Sequence, residues 1–253
     1  MRALVTTAPS GSPEEADELA RRFALTAEAR ADRLVPELLE AAQGAPVLVL
    51  GSRRADLFDG GRVFRASIGM GYLRFVRTRG GEGDPLITAA KLMAGDRILD
   101  ATLGLAQDAL VAAEVTGEAV EGLEASPVLA AFVVAALRRL PSTAAREAAA
   151  RISVRCADHR AALKELPPKS FDVVLLDPMF RTAADANPLF DLLRRHGEHA
   201  PVDAQTLKAA QRVARRGVLV KDAAPGAELT RLDLVPLPSR RTARIVFGWA
   251  PAE

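Results

Sequence analysis

The sequence predicts an α/β protein in which a mainly parallel sheet carries helices on both faces and follows a smaller α/β unit. From residue 97 onward, short apolar runs alternate with longer helical patterns. Acidic residues stand at the ends of four successive apolar runs. The chain has 253 residues, 49% of them hydrophobic and 26% charged, which is enough to bury a large core.

The composition excludes several classes of protein. The one cysteine, Cys156, excludes an internal disulfide framework, and its apolar neighbours favour packing over a nucleophilic role. No apolar run reaches the roughly 20 residues needed to cross a bilayer, and the first residues lack a signal-type apolar stretch. We therefore expect a cytoplasmic protein with no membrane partner, and we assign it no metal site.

The first fifty or so residues predict a small β-α-β unit, with strands at residues 3–6 and 46–50. The helix between them begins after Ser12, which can cap it, while Pro13 suits the first helical position and acidic residues follow at the positive end of the helix dipole. A glycine-rich loop at residues 80–85 is the most natural boundary. We predict two domains, at residues 1–79 and 80–253.

A basic segment precedes that boundary. Between Arg53 and Arg79 the chain has seven arginines against two aspartates, with aromatic residues interleaved. A surface that faces nucleic acid has this composition. Strands with solvated arginines on one face and aromatic residues in the core would produce the same alternation, so both interpretations stay open.

The second half of the chain predicts seven strands with helices between them. The strands cover residues 97–102, 119–124, 152–158, 171–177, 217–222, 232–237 and 242–249. The helices cover residues 105–115, 127–139, 160–166, 188–196 and 203–214. The last two strands are joined by four residues, which is too short for a parallel crossover, so we expect them to form an antiparallel hairpin.

Four of these strands end at or just before an acidic residue: Asp100, Glu124, Asp158 and Asp177. In an open α/β sheet ligands bind outside the carboxyl ends of the strands, so these carboxylates should converge on one crevice. One acidic strand end is usually a helix cap. Four in succession favour a binding site.

The loop after the first of these strands excludes a dinucleotide site, which needs G-x-G-x-x-G, because only Gly104 is present. A ligand with a cationic centre and no phosphate, S-adenosylmethionine, suits the acidic strand ends. We expect Asp100 and Asp108 near its cationic end, with Gly104 allowing close backbone approach. Glu124 would accept from both ribose hydroxyls.

The adenine end of the ligand would lie at the third acidic strand end. We expect Asp158 to accept from the adenine amino group and the backbone of His159 to contact the ring.

Four stretches of the chain together resemble a known family. They include the runs DATLGLAQD at residues 100–108, LEASP at 123–127, DPMF at 177–180 and VLVK at 218–221. They resemble the bacterial class I S-adenosylmethionine-dependent methyltransferases that include the RsmJ type, which methylates a guanine exocyclic nitrogen of small-subunit ribosomal RNA. The resemblance covers residues 84–222 and implies a Rossmann-like, seven-stranded fold. It implies cofactor contacts at Gln107, Asp108, Glu124, Ala125, Asp158, His159 and Asp177.

The chain also departs from the RsmJ pattern. Gln107 stands where that type has an arginine, Ala125 replaces the arginine after the ribose-binding glutamate, and Arg181 follows the box where a proline is usual. Both ends of the chain look closer to an uncharacterised branch of the family.

The DPMF run is similar to the D/N-P-P-Y/F box of enzymes that methylate planar amino groups. The lone pair of such a nitrogen is delocalised, so acceptors must hold its hydrogens in the attacking geometry. Asp177 and the Pro178 carbonyl would supply them, and Phe180 would stack on the base. The alternative is a turn that ends the strand, with Phe180 in the core.

An RNA acceptor would require the base to leave its stack and basic residues to contact phosphate. The candidates are Arg74, Arg77, Arg79, Lys221 and Arg244. Lys221 could instead be a strand-end charge paired with Asp222. Alternative functions keep the cofactor but act on DNA, a protein amide or a small molecule, or bind it without catalysis. The oligomeric state stays open, and we expect the N-terminal unit to shape one wall of the acceptor site.

Overall fold

The computed structural model describes residues 2–178, 188–197, 201–240 and 242–253. The strands are β1 (Leu4–Thr7), β2 (Thr26–Ala27), β3 (Val47–Leu50), β4 (Ala55–Asp59), β5 (Arg62–Arg65), β6 (Ile98–Asp100), β7 (Val120–Glu124), β8 (Ile152–Cys156), β9 (Phe171–Leu176), β10 (Ala214–Ala223) and β11 (Ile245–Pro251). The helices are α1 (Pro13–Arg22), α2 (Val35–Ala41), α3 (Gly71–Arg79), α4 (Pro85–Ala90), α5 (Gln107–Thr116), α6 (Pro127–Arg138), α7 (Thr143–Ala149), α8 (His159–Glu165), α9 (Pro188–His196), α10 (Ala204–Val213) and α11 (Ala227–Arg231).

The larger sheet is mainly parallel, as the alternating pattern predicts. Its strand order is β11-β10-β9-β6-β7-β8, and every pairing in it is parallel except that of β11 with β10. Alternate residues of β9 pack on opposite faces, with Val173 and Leu175 in one hydrophobic cluster and Val174 and Leu176 in another. Apolar surface on both faces is therefore buried under helices, which places the carboxyl ends of the strands at one open edge.

The predicted closing hairpin is wrong. Residues 232–237 contribute one isolated bridge, from Pro236 to Gly248, and the continuous antiparallel partner of β11 is β10. The backbone explains the difference, because the Leu232 N–H donates to the Glu228 and Leu229 carbonyls at the end of α11. Prolines further along this segment lack the N–H that a ladder requires. Across the described residues the larger sheet thus has six strands rather than seven.

The N-terminal segment forms a separate five-stranded sheet with the order β2-β1-β3-β4-β5. Strands β1 and β3 are parallel, with Leu4 opposite Val47, and β4 and β5 are antiparallel to their neighbours. The Ser12 hydroxyl accepts from the Glu15 N–H at 3.2 Å and so caps α1, as predicted.

A shared hydrophobic cluster joins this sheet to the rest of the chain. Helix α6, apolar on nearly every side, packs against β3 and β4 as well as β7 and β8. In the basic segment Phe64 and Phe75 are buried in the same cluster, while Arg62 and Arg65 on β5 are exposed. Aromatic residues in the core and solvated arginines thus account for the alternation at β5.

Helix α3 packs closely on α5 where the two helices begin. A Cβ atom added at Gly71 would lie 2.8 Å from the Gln107 Cα, so the contact requires glycine. Within the basic segment, the first turn of α3 therefore lies beside the first turn of α5, and Arg79 at the end of α3 contacts Glu114 near the end of α5. Within the described ranges, no helix has both the length and the apolar character needed to span a membrane.

Candidate active site

A cavity of about 550 Å³ opens at the carboxyl ends of β6, β7 and β9. This is the size of a typical small-molecule site and the position that the acidic strand ends predict. The predicted site residues that line it are Asp100, Gly104, Gln107, Asp108, Glu124, Ala125, His159, Asp177, Pro178, Lys221 and Arg244. Phe180, the predicted stacking residue, lies outside the described residues, as do Met179 and Arg181.

A tight loop after β6 positions the first group of these residues. Gly104 and Ala106 both have left-handed backbone conformations, with φ of 50° and 57°. Glycine adopts this conformation without strain at the first position. The Leu103 N–H donates to the Leu123 carbonyl at 2.9 Å and ties the loop to β7. Helix α5 then begins with its first turn, including Asp108, against the cavity.

Asp100 is a buried carboxylate at the end of β6, with only 3% of its surface exposed. One oxygen accepts from the Thr102 N–H at 3.3 Å. Burial, and then the nearby carboxylates of Asp108 and Asp177, raise the pKa of Asp100 to about 8. A cation in the cavity would favour its ionised form.

Glu124 ends β7 on the same edge of the sheet and is also buried. Its Oε1 accepts from the Ser126 N–H at 2.9 Å, and burial raises its pKa to about 7. Leu103 and Leu123 line the cavity beside it. A buried carboxylate between apolar walls fits a ribose with two hydroxyl donors, so these residues are suited to the nucleoside part of S-adenosylmethionine.

Asp158 has a different environment from the other three acidic strand ends. Its Oδ1 accepts from the Arg160 N–H at 2.8 Å and caps α8, and its Oδ2 lies 2.7 Å from the Arg160 guanidinium. These hydrogen bonds lower the pKa of Asp158 to about 2. His159 lines the cavity and is buried. Helix capping thus explains Asp158, and its contact with adenine stays a prediction.

Lys221 lies between two carboxylates. Its Nζ is 2.6 Å from Asp177 Oδ2 and 3.0 Å from Asp108 Oδ2. Pairing with Asp222 is wrong, because that carboxylate accepts from the backbone N–H groups of Glu228 and Leu229. Although burial acts against its charge, the two carboxylates raise the pKa of Lys221 above its ordinary value. An ammonium held in this way is a poor candidate for a phosphate contact.

Arg74 is also engaged inside the protein. Its Nε and Nη2 donate to the two oxygens of Asp84 at 2.8 and 2.9 Å, and its Nη1 donates to Asp108 Oδ1 at 2.5 Å. Burial acts against the ionised form of Asp108, but Lys221 and Arg74 outweigh it and lower its pKa to about 2. The guanidinium fork of Arg74 is thus taken by carboxylates rather than directed at a ligand.

The other basic candidates lie nearer to solvent. Arg77 and Arg79 are exposed and face Glu82 and Glu114 at 3.9 and 2.9 Å. Arg244 is exposed at the wall of the cavity. It is the predicted phosphate contact that combines exposure with a place in the cavity wall.

Sequence inspection misses two features of the site. The Thr102 hydroxyl accepts from the Asp177 N–H at 2.6 Å and fixes the backbone at the start of the DPMF box. Helix α9 forms a wall of the cavity through Phe190, Leu193 and Arg194. Thr102 belongs to the DATLGLAQD run at residues 100–108, so the family resemblance of that run already indicated a site there. The cavity-facing side of α9 has no comparable local signal.

The N-terminal sheet contacts α9 through ion pairs of arginine with aspartate and through a hydrogen bond between His196 and Asp59. Arg62 Nη1 on β5 lies 2.6 Å from Asp191 Oδ2, and His196 Nε2 lies 3.1 Å from Asp59 Oδ2 on β4. Arg195 adds a contact of 3.4 Å to Asp59, and its contact of 3.0 Å with Asp191 lies within α9. One wall of the cavity is thus attached to the N-terminal unit.

Comparisons with known proteins show the family of this chain. Residues 67–232 match the family described as "Putative SAM-dependent methyltransferase". The chain is 33% identical over 198 residues to YpiP of Bacillus subtilis (strain 168), a protein described as uncharacterized, with 76% of this chain and 77% of that one covered.

Other relatives carry a functional name. The chain is 38% identical over 159 residues to ribosomal RNA small subunit methyltransferase J of Laribacter hongkongensis (strain HLHK9), covering 60% of this chain and 56% of that relative. The match therefore spans little more than half the length of that protein.

A solved structure supports the fold. The crystal structure of a SAM-dependent methyltransferase from Neisseria gonorrhoeae aligns with a TM-score of 0.67 and 23% identity, covering 98% of this chain and 95% of that one. The Rossmann-like methyltransferase fold is thereby confirmed. The chain therefore belongs to the family of SAM-dependent methyltransferases, and its cofactor is S-adenosylmethionine.

Proposed function

We propose that this protein methylates an exocyclic amino nitrogen, with guanine N2 of small-subunit ribosomal RNA as the acceptor. The observation that carries the proposal is the position of Asp177 and Pro178, which line the same cavity as Asp100 and Glu124. A carboxylate and a carbonyl for an amino group thus lie beside carboxylates suited to the cofactor. The relatives named ribosomal RNA small subunit methyltransferase J support the choice of acceptor.

S-adenosylmethionine, when bound, supplies the activated methyl group. In our proposal Glu124 accepts from its ribose hydroxyls, and Asp100 faces its cationic end. We favour Asp100 over Asp108 for that contact because Arg74 and Lys221 already occupy both oxygens of Asp108. Gly104 lets the backbone approach closely, since its positive φ turns the loop without a side chain.

Asp177 would orient the acceptor nitrogen. Its Oδ2 is bonded to Lys221, and we assign Oδ1 to one hydrogen of the amino group and the Pro178 carbonyl to the other. Held in this way, the nitrogen lone pair points at the methyl carbon rather than into the ring. The nitrogen would bond to the methyl carbon as the bond from the sulfur to that carbon breaks, so S-adenosylhomocysteine would be released and the nitrogen would then lose one proton to water. Stacking by Phe180 stays a prediction.

The RNA would approach from the open side of the cavity. Arg244 at the cavity wall is the residue to which we assign a phosphate contact there, and the exposed Arg77 and Arg79 are further candidates. The base must leave its stack to reach Asp177, at a cost of about a few kcal/mol. Contacts with phosphate would offset part of that cost.

The direct test is to map methylated nucleotides of ribosomal RNA in cells with and without the gene. Loss of one N2-methylguanine in the small subunit, restored by the wild-type gene but not by Asp177→Asn, is the expected result. In vitro, purified protein should label extracted small-subunit RNA or assembled subunits with methyl groups from S-adenosylmethionine. An unchanged methylation map, with label entering DNA, protein or a small molecule instead, would replace RNA as the acceptor.

A further inference from the structure

We infer that Lys221 is a positioning residue for methyl transfer, whose ammonium keeps the Asp177 carboxylate ionised and turned toward the acceptor nitrogen. The inference rests on the proposed function, because it gives Lys221 a part in the same step. It replaces the phosphate contact that the sequence suggests for this lysine.

The sheet register brings the two residues together. Strands β9 and β10 are parallel neighbours, and Val220 pairs with Leu176. Lys221 follows Val220 and Asp177 follows Leu176, so Lys221 and Asp177 lie side by side at the same edge of the sheet. Lys221 Nζ lies 2.6 Å from Asp177 Oδ2, slightly closer than the roughly 2.7–2.9 Å of a charge-assisted hydrogen bond between an ammonium and a carboxylate.

Lys221 is itself held in place from the other side. Asp108 Oδ2 lies 3.0 Å from its Nζ, and Asp108 Oδ1 bonds to Arg74. Arg74 in turn donates two hydrogen bonds to Asp84. Asp84 accepts from the Leu86 N–H at 2.9 Å and caps α4. Charges of alternating sign thus run from the cap of α4 to the DPMF box, and each has a partner of opposite sign.

Asp177 needs such a cation because two other carboxyl groups lie near it. The charged groups that face it are Asp100 from β6, Asp108 from α5, Arg74 from α3 and Lys221 from β10. Burial, together with the carboxylate of Asp108, raises the pKa of Asp177, and Lys221 opposes this shift. Without Lys221 a larger fraction of Asp177 would be protonated, and a protonated carboxyl group has fewer acceptor positions for an amino group.

Lys221 acts as a fixed cation and not as a base. Asp108 and Asp177 raise its pKa, so the ammonium stays protonated while the acceptor nitrogen loses its proton. Its side chain is only 18% exposed, which keeps the interaction away from screening by solvent.

The test compares Lys221→Met, Lys221→Arg and the control Lys208→Met, which removes a lysine charge from an exposed site. Each variant is assayed for methyl transfer to extracted small-subunit RNA between about pH 6 and pH 9. This range lies above the ordinary pKa of an aspartate carboxyl group, so a rate that rises with pH there reports a raised pKa. We expect Lys221→Met to bind S-adenosylmethionine, to keep the wild-type KM for RNA and to lose roughly 100-fold in kcat. Because the pKa of Asp177 should be higher in this variant, its rate should keep increasing up to a higher pH than the wild-type rate does. Lys221→Arg should recover most of the activity, and Lys208→Met should match the wild type.

Two outcomes would overturn the inference. One is a wild-type kcat and pH profile in Lys221→Met. The other is a raised KM for RNA with unchanged kcat and a weaker salt dependence, which is the signature of a lost phosphate contact.

A second measurement does not depend on activity or on the acceptor. Carbon NMR of the carboxyl groups, with the Asp177 signal identified by its loss in Asp177→Asn, gives the titration midpoint of that group in each protein. We expect a higher midpoint in Lys221→Met, and an unchanged one would refute the inference. If the wild-type protein methylates no RNA amino group, the proposed function fails while this titration still decides the effect of Lys221 on Asp177.

The double variant Lys221→Met with Asp108→Asn guards against misfolding, because it also neutralises the buried Asp108 carboxylate, whose Oδ2 loses its partner in Lys221→Met. It should unfold at or above the temperature of Lys221→Met and still transfer methyl groups poorly. Recovery of wild-type kcat in the double variant would contradict the role of Lys221.

Discussion

The Arg74 guanidinium forms two parallel hydrogen bonds to the Asp84 carboxylate, at 2.8 and 2.9 Å. These residues lie on either side of the boundary predicted after residue 79, in α3 and at the cap of α4. Asp84 is buried, and 22% of the Arg74 side chain is exposed. The pair therefore links the basic segment to the cavity through Asp108.

From this we predict that Arg74→Met lowers the free energy of unfolding by about 3 kcal/mol, because it leaves the Asp84 carboxylate buried without its partner. Urea unfolding measures the loss. The control Arg77→Met removes an arginine from the same helix at an exposed position and should change stability by less than about 0.5 kcal/mol. Equal effects of the two substitutions would contradict the importance of the buried pair.

A second prediction concerns cofactor affinity. Glu124→Gln should weaken binding of S-adenosylmethionine by roughly 10- to 100-fold, since hydrogen bonds to a charged acceptor contribute about 1.5–3 kcal/mol. Isothermal calorimetry gives the affinity directly. Glu121→Gln is the matched control, because it lies on the same strand but pairs with Arg155 at 3.7 Å. Unchanged affinity in Glu124→Gln would remove Glu124 from the cofactor site.

A third prediction follows from the pKa of Asp100, raised to about 8 chiefly by burial. Below that pH the carboxyl group of the free protein is largely protonated, and a cationic ligand binds the ionised form better. Affinity for S-adenosylmethionine should therefore increase as pH rises toward about 8, by up to about tenfold per pH unit for one released proton. Calorimetry in buffers of different ionisation enthalpy measures the number of protons released on cofactor binding. That number should be smaller for Asp100→Asn than for the wild type.

The raised pKa of Asp100 has the opposite consequence for the stability of the free protein, which should decrease as pH rises. A carboxyl group with a raised pKa favours the folded state when protonated, so its contribution is lost as pH rises from about 4, its ordinary pKa, through about 8. Asp100→Asn should therefore be more stable than the wild type near pH 8 in the absence of cofactor. Thermal unfolding across pH tests this, and a parallel decline in both proteins would contradict it.

A fifth prediction addresses the attachment of α9 to the N-terminal sheet. Arg62→Ala removes the contact with Asp191 and should weaken cofactor binding about two- to fivefold, because Leu193 of α9 packs near Gly104. The effect should shrink at high salt, which screens an exposed ion pair. Arg65→Ala on the same strand, whose partner is Asp56, should bind the cofactor as the wild type does. A salt-independent loss in Arg62→Ala would argue against an electrostatic attachment.

Local patterns in the chain were enough to predict most of the fold. Alternation of short apolar runs with helical patterns indicated the mainly parallel sheet, because periodicity depends on neighbouring residues alone. The cap at Ser12 and the helix over Pro188–His196 were predicted for the same reason. The hairpin at the end of the chain was wrong, since Leu232 bonds into the end of α11 and the partner of β11 lies far away in β10.

The acidic strand ends are visible in the order of residues along the chain, and the topology of a parallel sheet is sufficient to bring Asp100, Glu124 and Asp177 to one cavity. The partners of the basic residues, in contrast, become visible in the folded chain alone. Lys221 pairs with Asp108 and Asp177, which are 113 and 44 residues away along the chain. A charged side chain carries no local signal of its partner. Whether it meets solvent, phosphate or a buried carboxylate depends on packing between elements that are distant in sequence.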